Sequence, residues 1–460
     1  MSINIKDYKH IYFVGIGGIS MSGIAVILKN WKYEISGSDS TESNQTRWLE
    51  SQGIKVNIGQ VEENINNDID LLVYTAAIKE NNPELVKARN LKIPCIERGE
   101  FLGELTKLFK DTIGIAGTHG KTSTTSMVSS IFLEAGMDPS IQVGAVLDLI
   151  NGNYRVGNSD YFIIEACEYH ESFLNFKQRS AIVLNIDDDH LDYFKNMDRV
   201  VNSFKKYVNL LPEDGFLIVN RDDDKCYSLK DSTKAKVISV GKNNKADWYY
   251  DNISYDDEGY PTYDLYHNNK LIDRISLKVV GEHNVFNSVC AIALCDSYGI
   301  SVSIAKQGLL KYKGASRRLE YKGLFNGAKV YDDYGHHPTE IQATVNGINK
   351  KHFNESWVVF EAHTFSRLKQ HLERFASSLK DFNHIIIMDI YPARETNIYN
   401  IHEEDIIKEL AKYDKKAIHI SEYEEIVNYL KNNVKKGDII ITLGAGNVTK
   451  IATLLTKNCN

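Results

Sequence analysis

Thr112-Ile-Gly-Ile-Ala-Gly-Thr-His-Gly-Lys-Thr-Ser123 is the stretch on which the fold of this chain turns. Residues 112–116 read as a buried strand, a Gly/Thr loop follows, and beyond it Met127, Val128, Ile131 and Phe132 share one face of a helix. Strand, loop and helix in that order put backbone N–H groups at a helix start, where the peptide dipoles favour an anion. Lys121 is placed to reach the β and γ oxygens of a nucleoside triphosphate, and the Thr122 hydroxyl to help hold Mg²⁺. The strict pattern GxxxxGK[ST] wants glycine at position 115, where this chain has isoleucine; what stands is the shorter Gly-Thr-His-Gly-Lys-Thr of residues 117–122. A solvated Ser/Thr-rich helix cap is the plainer reading, and the ordered run of strand, loop, lysine and hydroxyl weighs against it.

Two later apolar runs end in metal-ligand chemistry. Tyr161-Phe-Ile-Ile-Glu165 ends in a carboxylate, and Ala181-Ile-Val-Leu-Asn-Ile-Asp-Asp-Asp-His190 in three carboxylates and an imidazole. Mg²⁺ keeps several waters, so few protein ligands suffice. Residues 187–189 taken alone equally suit a solvated acidic run. Upstream, Gly15-Ile-Gly-Gly-Ile-Ser20 approximates GxGxxG with Ser20 in the third place, and Asp39 follows the next strand. That context fits a nucleotide diphosphate with an acid near the ribose, a pattern shared with nicotinamide dehydrogenases. The last expected strand runs into Gly444-Ala-Gly-Asn447, a strand-to-helix turn or a further phosphate turn.

Around these loops, apolar runs at 11–14, 34–36, 71–74, 161–164, 181–184 and 216–219 alternate with helical patterns. Further runs at 329–331, 357–360, 385–388 and 438–442 do the same, with Leu368, Leu372, Phe375 and Leu379 at helical spacing between them. Such alternation predicts parallel α/β sheets. Between 247 and 280, Ile275, Leu277 and Val279 alternate with polar residues and Asn268-Asn269 suits a turn, which predicts antiparallel hairpins. A helix resumes across 281–299. At about 150 residues per domain, 460 residues allow three. The expected boundaries are 1–109, 110–316 and 317–460.

Composition narrows the partners. With 54 Lys and Arg against 61 Asp and Glu, the net charge of −7 does not suit a nucleic-acid or anionic-membrane binder. Residues 11–28 carry no charge, yet Gly15, Gly17, Gly18, Gly23, Ser20 and Ser22 break the run into strand, turn and helix rather than a membrane segment. A soluble, unprocessed, cytoplasmic chain is expected. The six cysteines (Cys95, Cys167, Cys226, Cys290, Cys295 and Cys459) form no CxxC pair, and Cys290 lies on the apolar stripe of Phe286, Val289, Ala293 and Leu294. Neither a disulfide framework nor a zinc site is expected.

Four segments now stand together in order: Gly15-Ile-Gly-Gly-Ile-Ser-Met-Ser-Gly-Ile-Ala25, Gly117-Thr-His-Gly-Lys-Thr122, Gly281-Glu-His-Asn-Val-Phe-Asn287 and Asp332-Asp-Tyr-Gly-His-His-Pro-Thr-Glu340. Over essentially its whole length the chain closely resembles the Mur ligases. The resemblance implies an α/β protein of three-domain Mur ligase architecture. A Rossmann-like N-terminal domain would take a UDP sugar, a central P-loop domain ATP, and a Rossmann-like C-terminal domain an amino acid. It implies ATP-dependent joining of L-alanine to the carboxylate of UDP-N-acetylmuramate, a step of peptidoglycan precursor synthesis, with Mg²⁺ as cofactor. The alternatives are a sister ligase adding a preformed peptide, a P-loop NTPase and a nicotinamide-dependent oxidoreductase.

Residue by residue, the resemblance puts Gly17, Gly18 and Ser20 at the UDP diphosphate, and Asp39 and the loop Thr75-Ala-Ala-Ile78 near the uridine. ATP falls to Gly117, Thr118, His119, Gly120, Lys121, Thr122 and Ser123, with Asn284 at adenine and Arg318 and Asp332 nearby. Thr122, Glu165 and His190 would hold the metal. Asp333, Tyr334, His336, His363 and Arg367 would surround the amino acid, and Lys121, His190, Arg318 and His336 would carry the catalysis. Two departures stand out: Glu361-Ala-His363 where the family often has Gln-Pro-His, and Glu165-Ala-Cys-Glu-Tyr-His-Glu171 in place of Glu-Ala-Asp-Glu-Ser. Only small-molecule partners are expected, with no nucleic acid, no membrane, and a monomer or weak homodimer.

Overall fold

The structure is a computed structural model that describes residues 3–75, 77–393 and 395–457. Ala76 of the expected uridine loop and Cys459 lie outside the described residues. The chain forms two compact units, one from residues through 249 with 267–269 and 288–308, the other from 250–266, 270–287 and 309 onward.

The first unit holds two sheets. In one, β1 (His10–Val14), β2 (Glu34–Asp39), β3 (Lys55–Ile58), β4 (Leu71–Tyr74) and β5 (Cys95–Glu97) are ordered β3-β2-β1-β4-β5, all parallel. The order reverses between β1 and β4, which opens a crevice at the carboxyl end of β1. The uncharged segment resolves into β1, a glycine turn and helix Ile19–Asn30, whose residues Met21 to Leu28 are all buried. Among the described residues no helix is long and apolar enough to cross a membrane.

The other sheet contains β6 (Asp111–Ala116), β7 (Ser140–Leu147), β8 (Gly152–Arg155), β9 (Tyr161–Glu165), β10 (Ser180–Val183), β11 (Phe216–Asn220) and β12 (Lys236–Gly241), ordered β12-β11-β10-β6-β9-β7-β8. Only β8 runs antiparallel to its neighbour. The β6 pattern is buried throughout because helices cover both of its faces, so it reads as a continuous apolar run. Phe13, Ile24, Phe162, Phe204 and Tyr207 belong to one continuous core that joins the two sheets.

In the remaining sequence β13 (Trp248–Tyr255), β14 (Pro261–His267) and β15 (Lys270–Ser276) are successive neighbours, with the expected two-residue turn at Asn268 and Asn269. The strand ends at Ser276, so of the expected alternating trio only Ile275 belongs to it. Helix Glu282–Ser297 follows, with Cys290 fully buried as expected. The second unit's sheet has β16 (Glu320–Phe325), β17 (Ala328–Asp333), β18 (Ser356–Phe360), β19 (His384–Ile387), β20 (Ala417–His419) and β21 (Ile439–Leu443), ordered β16-β17-β21-β18-β19-β20. Its central strands bury both faces: Val358 and Phe360 join one apolar cluster, Trp357 and Val359 the other.

Candidate active site

Strand order explains why motifs far apart in sequence meet. β6 lies between β9 and β10, with Ile115 opposite Glu165 on one side and Ile182 on the other. The phosphate-type loop leaving β6 is therefore flanked by the loops carrying Glu165 and His190. Gly117 (φ 133°) and Gly120 (φ 86°) occupy backbone regions that a side chain would strain, and helix Lys121–Glu134 begins directly after them. Asn185, at the exit of β10, stitches the loop down. Its carbonyl accepts from Thr118 N at 3.1 Å and its Oδ1 from His119 N at 2.8 Å, while its Nδ2 donates to the His119 carbonyl at 3.0 Å. Asp187 N donates to Thr118 Oγ1 at 2.9 Å, and His119 Nε2 lies 3.0 Å from Asp187 Oδ2.

Lys121 folds back over this loop. Its Nζ donates to the carbonyls of Gly117 (2.6 Å) and Thr118 (3.0 Å) and to both oxygens of Glu168 (3.2 and 2.9 Å). Burial works against the ammonium form, but the Glu168 carboxylate outweighs it and the pKa rises, so Lys121 is a fixed cation. Glu168 is itself 2% exposed. Its role is not legible in the 165–171 motif, because it depends on Lys121, 47 residues away in sequence.

Glu165 closes β9, and its Oε1 accepts from Gly144 N at 2.6 Å. A Cβ at Gly144 would fall 2.9 Å from Glu165 Oε2, so glycine there keeps a cradle open around the carboxylate. Thr122 is nearly buried at the first turn of helix Lys121–Glu134, with Ser123 half-buried beside it. His190 adopts a left-handed backbone (φ 56°), donates its backbone N–H to Asp189 Oδ1 at 2.8 Å, and packs its ring 4.4 Å from that of Tyr169. A hydroxyl and a carboxylate are the hard oxygen donors that Mg²⁺ takes, and the Gly144 cradle leaves room at Glu165, so these residues fit the expected ion.

At the first sheet, β1 and β4 run in register, Val14 opposite Tyr74, which brings the Gly15–Ser20 loop beside Thr75. Asp39 ends β2 and accepts from Gly17 N at 2.9 Å, while Ser20 stands on the first turn of helix Ile19–Asn30. All five residues expected at a UDP sugar thus gather at the carboxyl edge of this sheet.

The second unit clusters its expected residues in the same way. β17, β21 and β18 are neighbours, and their ends carry Asp333, Gly444 and Glu361. Tyr334 packs under Arg317 and Arg318, whose guanidinium carbons lie 4.8 and 5.4 Å from its ring. His336 Nδ1 is 3.1 Å from the Tyr334 carbonyl and 3.3 Å from Glu340 Oε2. The His336 and His363 rings are 5.7 Å apart, and Arg367 Nη1 lies 3.2 Å from His363 Nδ1.

Three of the expected residues are held in hydrogen-bond networks of the chain itself. Asp332, expected at ATP, is fully buried; Thr442 and Thr449 hydroxyls donate to its two oxygens at 2.7 and 2.6 Å, so it ties β17 to β21 and the last helix. Asp333, expected at the amino acid, accepts from Leu319 N and Gly335 N, both at 2.7 Å, and so shapes the loops around it. Asn284, expected at adenine, is buried and donates to the Val280 carbonyl at 2.8 Å while accepting from Asn287. The departure at Glu361 also has a reason: its Oε2 accepts from Val448 N at 3.0 Å, so a carboxylate of the chain itself occupies the turn after β21.

Comparison with known proteins follows the same division. Residues 10–110 match the Mur ligase family catalytic domain, 115–295 the Mur ligase middle domain and 317–446 the Mur ligase glutamate ligase domain. The chain is 45% identical to the UDP-N-acetylmuramate–L-alanine ligase of Acetivibrio thermocellus, covering 98% of this chain and 97% of that protein. It is 42% identical to the enzyme of the same name from Clostridium perfringens, over 98% and 99%. Among solved structures, the UDP-N-acetylmuramate–alanine ligase of Thermotoga maritima superposes with a TM-score of 0.84 at 25% identity, covering 98% of this chain and 99% of that one.

Proposed function

The chain belongs to the Mur ligase family, and we propose that it joins L-alanine to the carboxylate of UDP-N-acetylmuramate in the cytoplasm, converting ATP to ADP and phosphate. The observation that carries this reading is the β9-β6-β10 arrangement: a glycine loop with a fixed lysine cation, a cradled carboxylate and a histidine on adjoining strand ends. Within it, residues 1–109 take the UDP sugar, 110–316 ATP and 317–460 the amino acid.

A carboxylate is a poor electrophile without a leaving group. Transfer of the γ-phosphoryl to one carboxylate oxygen makes an acyl phosphate; the alanine amine then attacks the carbonyl carbon, and phosphate departs with that oxygen. Charge spreads over the phosphoryl oxygens during transfer, so positioning and electrostatic stabilisation do most of the work. Lys121 supplies fixed positive charge beside the loop amides, and Arg318 a second cation. Thr122, Glu165 and His190 would hold Mg²⁺, which neutralises phosphate charge when bound. The amine must attack neutral, and we assign His336 to take its proton, with His363 and Arg367 alongside.

The test is phosphate release from ATP with UDP-N-acetylmuramate and a panel of L-alanine, glycine, L-serine and a preformed peptide. L-Alanine should give the highest kcat/KM, with glycine about 10- to 200-fold lower, the worth of one methyl in a pocket. Release with the peptide but not with alanine would assign a sister ligase, and release needing neither acid nor amine a plain NTPase.

A further inference from the structure

The turn after β21 is held from two sides by residues to which the proposed chemistry gives no part. On one side stands Glu361, 4% exposed, at the exit of β18. Phe360 lies opposite Leu443 on the β18–β21 ladder, and Glu361 N donates to the Leu443 carbonyl at 3.0 Å. From there its Oε2 accepts from Val448 N, and the Asn447 amide faces the same carboxylate. On the other side, Arg317 Nη2 donates to the carbonyls of Gly444 at 2.6 Å and Gly446 at 3.3 Å. A carboxylate takes N–H groups of the turn and a guanidinium takes its C=O groups, so the turn's backbone is satisfied by two ionised side chains.

The same turn lies against residues expected around the amino acid. A Cβ at Gly446 would strike Glu361 Oε2 and fall 2.7 Å from Tyr391 Cγ, so glycine is what lets the turn rest on both. Tyr391 N donates to the Ala362 carbonyl at 2.8 Å, and the Tyr391 carbonyl accepts from Thr364 N at 2.9 Å. Those two bonds bracket His363, whose ring stacks on that of Tyr391 with centroids 5.5 Å apart and planes at 25°. Arg317 meanwhile lies over the Tyr334 ring, and its carbonyl accepts from Tyr334 N at 2.7 Å. Contacts therefore run from the turn through Glu361 and Tyr391 to His363, and through Arg317 to Tyr334.

We propose that Glu361 and Arg317 are positioning residues for the amino-acid substrate: they fix the 444–448 turn, and the turn fixes Tyr391 and with it the His363 ring. These roles rest on the reading of residues 317–460 as the amino-acid half of a ligase. They also give the departure at position 361 a defined limit. A glutamine there keeps an acceptor oxygen for the turn's amides, whereas a side chain of similar size without an acceptor leaves them unpaired.

The experiment measures steady-state phosphate release by the full chain and by Glu361→Leu, Glu361→Gln, Arg317→Lys and Tyr391→Leu, with L-alanine, ATP and UDP-N-acetylmuramate varied in turn. Glu361→Leu should raise KM for L-alanine about 10- to 100-fold, with kcat and the other two KM values within about threefold. Glu361→Gln should bring KM for L-alanine back to within about threefold of the unaltered protein. Arg317→Lys loses the planar fork and should raise the same KM about 3- to 10-fold. Tyr391→Leu, at a half-buried position, should raise it about as much, which keeps the test open where Glu361→Leu does not fold. An unchanged KM for L-alanine in the folded variants, an equal rise for all three substrates, or a glutamine variant as impaired as the leucine one overturns the proposal while the ligase reading stands. Unaltered protein that releases no phosphate with any amino acid overturns that reading, and the proposal with it.

Discussion

At Lys121 the structure pairs a cation whose side chain is 17% exposed with the almost wholly buried carboxylate of Glu168. Removing one partner of such a pair strands the other charge away from water. Glu168→Ala should therefore cost about 3–5 kcal/mol of stability, read from urea denaturation; a loss within the error of the fit would mean that water already solvates the pair. Asp333 gives the second test at this scale. Burial pushes its carboxyl up to about 6, although Arg318 and the amides of Gly335 and Leu319 pull the other way. The folded state then holds a proton that the unfolded chain, near 3.8, has released. Stability from this group is present at low pH and falls as pH climbs between about 4 and 6. Asp333→Asn should lack that component of the fall, and an identical profile in the variant would assign it elsewhere.

Secondary-structure elements put these residues where chemistry can use them. Glu165 is useful because β9 ends beside β6 and because Gly144 on β7 leaves its carboxylate room. A methyl at Gly144 would press on both carboxylate oxygens, at 2.9 and 3.2 Å. Gly144→Ala should raise the Mg²⁺ concentration needed for half-maximal phosphate release several-fold, with KM for UDP-N-acetylmuramate unchanged; no change in the Mg²⁺ titration would remove Glu165 from the metal. The central strands β1, β4, β6, β9, β10, β11, β17, β18, β19 and β21 were all legible in the sequence, since burial on both faces writes a continuous apolar run. The strands of the first and third sheets that went unread, β3, β5, β16 and β20, are the edges of those sheets. Edge strands such as β3 and β16 bury little and carry no such signal. The glycine loops were legible for a local reason, because turns of that geometry restrict residue type. The roles of Glu168, Asn185 and Glu361 were not, because each depends on a partner brought from elsewhere in the chain by strand order.

For the molecule as a whole, a chain of modest negative charge holds a glycine loop on each of two sheets in one unit and a third set of strand-end residues in the other. Membership of the Mur ligase family gives these sites a common purpose, and the proposed chemistry ties them through one intermediate. That intermediate has an atomic signature, since the oxygen that accepts the phosphoryl group leaves with it. UDP-N-acetylmuramate labelled with ¹⁸O in its carboxylate, turned over with ATP and L-alanine, should yield inorganic phosphate carrying one labelled oxygen per molecule of product at full carboxylate enrichment. Unlabelled phosphate, with both heavy atoms lost to water or kept in the sugar, would contradict activation of the acid by ATP.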